Sequence, residues 1–117
     1  MRALITVLAL TMSIVTASTA VARCRAYTNR LSYTGKLAIG EARLVTEWKS
    51  PCEGAINASA AKGRLTLLVF ENGVWQKVKE GISTIVPVAP AGTYRLVVTN
   101  PYGIPSDYAV SVKYGRG

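Results

Sequence analysis

The sequence contains no histidine. That removes the commonest general base near neutral pH, the Ser-His-Asp arrangement and the usual zinc ligand. Acidic residues are also scarce. Glu41, Glu47, Glu53, Glu71, Glu80 and Asp107 stand against 14 Lys and Arg. They are scattered, each beside a turn or on the polar side of an alternating stretch. A glycosidase pair needs two carboxylates about 5–10 Å apart in a cleft. Glu41 and Glu47, on one extended segment, stand about 20 Å apart at ~3.3 Å per residue. They read as solvated surface groups. Calcium needs several converging oxygens, and Asp107 near the carbonyls around Asn100 is the only weak beginning of such a set. The sequence therefore points to no catalytic residues, no metal and no cofactor. After residue 22 no apolar run is long enough to span a bilayer, so no membrane span is expected in the mature chain.

What is present begins with a leader. Arg2 precedes a nearly uncharged apolar run, Ala3 to Val15, and Ala20-Val21-Ala22 forms a small-x-small site. This is the layout of a cleaved secretory signal peptide over residues 1–22, leaving one domain at 23–117. A retained anchor would just reach across about 30 Å of hydrocarbon, but Ser and Thr residues dilute the run. A lipid-modified Cys24 would want a small residue before it and has Arg23 instead. The expected location is secreted, extracellular or periplasmic. There, Cys24 and Cys52 are expected to pair rather than remain free thiols. The disulfide would close a loop of about 28 residues, worth about 3 kcal/mol, and tie down the N-terminal end.

The formal charge is +8, and loss of Arg2 with the leader lowers it by one. A basic balance favours an anionic partner: a lipid surface, an acidic glycan or nucleic acid. The plainer reading is generic surface charge. The cations are spaced singly, and only Arg23, Arg25 and Arg30 crowd together. With no Lys/Arg block or nucleic-acid motif in an exported chain, nucleic acid is not an expected partner.

No helical periodicity is sustained beyond the leader. Period-two alternation recurs between Gly, Pro and Asn, as in an all-β domain. Residues 31–40 read as a strand interrupted at Gly35. Next, Ala42, Leu44, Thr46 and Trp48 share a face. Residues 55–61 are ambiguous between a short strand and a loose helical turn. From Arg64 to Glu71, Leu65, Leu67 and Val69 occupy one face and Leu68 and Phe70 the other. Such a strand is expected to be covered on both sides or to lie under a loop. Asn72-Gly73 is a type I′ hairpin signal, returning the chain through Val74 to Lys79. Pro87 marks its strand as an edge or a break. Tyr94, Leu96 and Val98 share one face, and so do Tyr108, Val110, Val112 and Tyr114. About seven strands result, the spacing of a single antiparallel β-sandwich, jelly-roll or Ig-like.

Ala91-Gly92-Thr93-Tyr94-Arg95-Leu96-Val97-Val98, followed by Asp107-Tyr108-Ala109-Val110-Ser111-Val112, resembles the closing strand pair of bacterial pre-peptidase C-terminal domains. Leu44 to Trp48 and Leu65 to Gly73 fall where that family places its earlier strands, so the resemblance covers roughly residues 40–114. It implies a secreted jelly-roll and a non-catalytic accessory role in surface binding or secretion. The 117 residues include no protease, and they lack the acidic cluster of calcium-binding relatives.

The residues leave a short set of candidate contacts. Trp75, Lys77, Lys79 and an exposed Tyr102 form a possible sugar- or partner-binding patch, because aromatics dominate hot spots. The competing reading has Trp75 capping the end of the core. Asn57-Ala58-Ser59 matches the N-glycosylation triplet. The function expected is a secreted non-catalytic binding or accessory module for an anionic glycan or other cell-surface component. The alternative is a structural subunit that pairs with copies of itself by strand exchange. In that alternative the Arg23–Arg30 arm or the Pro87 strand is exchanged or receives a strand.

Overall fold

The computed structural model describes residues 22–117. Apart from Ala22, the leader expected at 1–22 lies outside the described residues. Nine strands follow one another: β1 (Ala26–Tyr27), β2 (Leu31–Leu37), β3 (Ala42–Ser50), β4 (Gly54–Lys62), β5 (Arg64–Glu71), β6 (Val74–Gly81), β7 (Ser83–Ala89), β8 (Gly92–Thr99) and β9 (Ser106–Arg116). The first sheet has the order β2-β9-β4-β7, with β1 continuing the β2 edge along β9. The second has the order β3-β8-β5-β6. All these pairings are antiparallel, and the two sheets form the sandwich. Two strands exceed the seven expected. The ambiguous segment is the long strand β4, and the arm adds the two-residue β1.

The core forms where the alternating apolar faces meet. Leu65 and Leu67 of β5, Leu96 and Val98 of β8, and Val110 and Val112 of β9 are almost completely buried. Trp48 stacks between Tyr114, with centroids 4.5 Å apart, and Tyr94, 5.7 Å away. The Tyr94 hydroxyl donates to the Pro90 carbonyl at 2.5 Å. A tyrosine bonding back to backbone a few residues upstream is the corner device of many β-sandwiches. Gly35 is required where it stands, because a Cβ there would run into the Tyr108 ring. Asn72 and Gly73 have φ of 52° and 80°, the positive pair that a type I′ turn requires.

Two expectations about faces change, and one holds. β3 carries an extra residue between Leu44 and Thr46, so Thr46 and Trp48 face inward while Leu44 is left exposed. A bulge reverses the face that strict alternation would assign. β5 is an internal strand, yet its outer face is not covered, and Phe70 is 46 % exposed. Pro87 lies on an edge strand as expected, inside a bulge opposite Gly54 and Ile56.

The strand order gives the sandwich two ends. The disulfide end carries residues 51–53, the 72–73 turn, residues 90–91 and Arg116. The far end carries residues 38–41, Gly63, Ile82 and residues 100–105. Cys24 and Cys52 are joined, with Cα atoms 5.0 Å apart. Gly54 and Gly115 make room for the bridge, since a Cβ on either would strike Cys24. At the far end Asn100 is buried and binds two loops together. Its Nδ2 donates to the carbonyls of Ala38 at 3.1 Å and Ile104 at 2.8 Å, and its Oδ1 accepts from the Tyr102 N–H at 2.8 Å.

Candidate functional site

Trp75, Lys77, Lys79 and Tyr102 are not drawn together into one patch. Trp75 is on the outer face of the second sheet, opposite Phe70 and beside the 72–73 turn, with ring centroids 5.1 Å apart. It stands outside the buried core cluster, so it does not cap the core. The Arg95 guanidinium sits 4.1 Å above its ring, and Arg95 Nε donates to Glu47 at 2.6 Å. One face of the indole is therefore already occupied by a fixed cation. Lys77 donates to Glu80 at 3.1 Å, and Lys79 donates to the Ile85 carbonyl at 3.0 Å. Tyr102 is exposed in the 100–105 loop, at the far end of the strand system from Trp75.

The charges divide the surface more sharply than the aromatics do. Four carboxylates hold cations: Glu41 with Arg43, Glu47 with Arg95, Glu80 with Lys77 and Arg64, and Asp107 with Lys36. The Glu41 carboxyl is held below its ordinary range first by the Ala38 N–H and then by Arg43. The Glu80 carboxyl is held down chiefly by Lys77. These pairs lie on the second sheet or at the far end. Among the described residues no ion pair engages Lys49, Lys62 or Lys79, which are dispersed, or Arg23, Arg25, Arg30, Lys113 and Arg116, which are grouped.

Those five grouped cations lie along β1, its flanks and the last residues of β9. The Arg25 N–H donates to the Arg116 carbonyl at 3.2 Å, and Lys113 Nζ is 5.2 Å from the centre of the Tyr27 ring. Glu53 is the one carboxylate nearby, its carbonyl accepting from the Cys24 N–H at 2.8 Å. β1 stays in place because the disulfide fixes Cys24 and because Ala26 and Tyr27 pair with Arg116 and Gly115.

Beside this cluster the outer face of the first sheet is recessed. Small side chains there leave a hollow of about 70 Å³, lined by Arg30, Asn57, Ser59, Ser111 and Lys113. The register explains the grouping. Asn57 is directly opposite Lys113 and Ser59 directly opposite Ser111, so four polar side chains form a block across β4 and β9. Arg30, just before β2, closes one side. The hollow adjoins a wider trough through Ser59 and Ser111, which continues past Ser32 and Thr34. Ser32, Ser111, Ser59 and Ser83 form one cross-strand row over the whole sheet.

Several signals for this site were visible separately. Arg30 belongs to the only basic crowd, Asn57 and Ser59 form the glycosylation triplet, and Ser111 and Lys113 lie on the polar face of the last strand. The pairing of β4 with β9 brings them together, and local sequence does not encode that long-range register. Compared with family models, curated proteins and solved structures, the chain matches none.

Proposed function

We propose that the chain acts outside the cytoplasm as a non-catalytic β-sandwich module that binds an acidic partner at a cell surface. The observation that carries this reading is the segregation of charge. Most carboxylates are spent on cations elsewhere, whereas Arg23, Arg25, Arg30, Lys113 and Arg116 collect along one edge without ion-pair partners among the described residues. A one-sign surface raises the local concentration of an oppositely charged partner and speeds its encounter. The accessory role implied by the resemblance to pre-peptidase C-terminal domains agrees with this reading.

A strand-exchanged filament is less well supported. The arm that would be donated is stitched to its own chain by the Cys24–Cys52 bridge and pairs with its own β9. The Pro87 strand that would receive a partner is bulged, a feature that blunts edges. Chromatography of the disulfide-bonded mature chain on immobilised dextran sulfate tests the proposal. Retention should weaken with added salt, because exposed charges are screened over about 8–10 Å. The triple variant Arg23→Ala, Arg25→Ala and Arg116→Ala should elute at distinctly lower salt. Failure of the wild-type chain to bind dextran sulfate or anionic vesicles would overturn the reading.

A further inference from the structure

We infer that the hollow between Arg30 and Lys113 is a specific seat for a sulfate or phosphate ester group carried on a saccharide chain. The inference rests on the acidic-partner reading above and assigns it a site. Beside Val112, the lining offers groups able to donate to an oxyanion: a guanidinium, an ammonium, a carboxamide and two hydroxyls, with no carboxylate among them. Cationic donors to an oxyanion make the strongest class of hydrogen bond. The volume of about 70 Å³ is roughly twice the ~30 Å³ share of a water molecule, which suits one compact anionic group rather than a ring.

The surroundings determine what carries that group. The hollow opens through Ser59 and Ser111 into a trough of about 430 Å³ flanked by Ser32 and Thr34. Its floor alternates these short hydroxylated side chains, which can exchange hydrogen bonds with sugar hydroxyls, with small apolar ones such as Ala61 and Ala109, over which a sugar's C–H face can lie. An extended saccharide can lie in the trough with its ester group in the hollow. A lipid bilayer would instead have to bring a broad plane of headgroups to a recessed sheet face. The flanking cations, Arg23, Arg25 and Arg116, then serve approach, while Arg30 and Lys113 serve recognition.

Calorimetric titration separates these roles. The probes are a sulfated dextran oligosaccharide, the unsulfated oligosaccharide, inorganic sulfate, and vesicles of phosphatidylserine and phosphatidylcholine in a 3:7 ratio. The variants are Arg30→Ala with Lys113→Ala, Arg23→Ala with Arg25→Ala, and Ser59→Val. The first two remove equal charge. Ser59→Val changes no charge and puts a β-favouring residue on a strand, so the fold is retained. The site predicts tighter binding of the sulfated oligosaccharide than of any other probe. It also predicts a loss of about tenfold or more for the Arg30/Lys113 variant and for Ser59→Val. The Arg23/Arg25 variant should lose only a few-fold, and that loss should vanish at high salt. Equal losses from the two charge variants with none from Ser59→Val would overturn the site while leaving the acidic-partner reading intact. Stronger binding to the vesicles would overturn the saccharide assignment. No binding to any anionic probe would overturn both readings.

Discussion

Single atoms set several of the tolerances of this fold. Thr84 is fully buried on β7, and its Oγ1 has no hydrogen-bond partner within the described residues. Burying an unpaired hydroxyl is costly, and valine has nearly the same shape without it. Thr84→Val is expected to raise stability by about 1 kcal/mol in urea unfolding. Gly115 shows the opposite constraint. A Cβ there meets Cys24, so Gly115→Ala should destabilise the oxidised chain by about 1–3 kcal/mol. If the Cys24 side chain is the obstacle, most of that penalty should disappear in a Cys24→Gly, Cys52→Ala background, which removes both its Cβ and its sulfur. A double-mutant cycle measures this directly. An equal penalty in both backgrounds would point to another cause.

At the scale of elements, Asn100 ties together two loops whose flanking strands pair at both ends, Leu37 with Ser106 and Ala42 with Thr99. Its carboxamide donates to the β2–β3 connection and to the 100–105 loop, and accepts from the Tyr102 N–H. Asn100→Ala leaves partly buried carbonyls without their donor and should cost about 2 kcal/mol. Hydrogen exchange should quicken in residues 38–41 and 100–105, with the 72–73 turn unchanged. The sequence made some elements readable and hid others. Strands that turn one apolar face to the core, such as β8 with Tyr94, Leu96 and Val98, declare themselves by alternation. Asn-Gly declares its hairpin because few residues tolerate both positive φ values. β4 is hard to read because Ala58, Ser59 and Ala60 carry little apolar contrast, although the strand occupies an interior position. The bulge at Leu44–Thr46 is equally silent, because it depends on the partner strand. The hollow inherits both difficulties, being built on β4 and on a register between distant strands.

The whole molecule should be most stable over a broad pH plateau. Glu41 and Glu80 have depressed pKa values when folded, so their contribution is present above the ordinary 4.5 and fades as pH falls through the folded values. Tyr94 and Tyr114 are raised above 10.0, mainly by burial, so the unfolded chain ionises first and stability falls as pH rises past that point. Thermal unfolding across pH 3–11, a range on the order of that spanned by ordinary carboxyl and phenol pKa values, should give lower midpoints at both extremes. A midpoint unchanged at alkaline pH would contradict the tyrosine argument. Reducing Cys24–Cys52 should remove about 3 kcal/mol, a fall in melting temperature on the order of 10–20 °C. Reduction also frees the arm, which carries part of the basic edge, so it should weaken retention on dextran sulfate as well.

The order in which strands are paired also governs how the chain can acquire its shape. β9, the last strand, pairs with β1, β2 and β4, and β8 pairs with β3 and β5. Before those two strands are available, the sheets have only the β5–β6 hairpin and the β4–β7 pair. Topologies dominated by such distant pairings fold slowly, in roughly milliseconds to seconds. Under the proposed export from the N-terminus, the second sheet would close only once β8 had emerged and the first only once β9 had. The same pairing that completes the sandwich through β8 and β9 would leave the earlier strands of each sheet largely unpaired, and so transportable, until then.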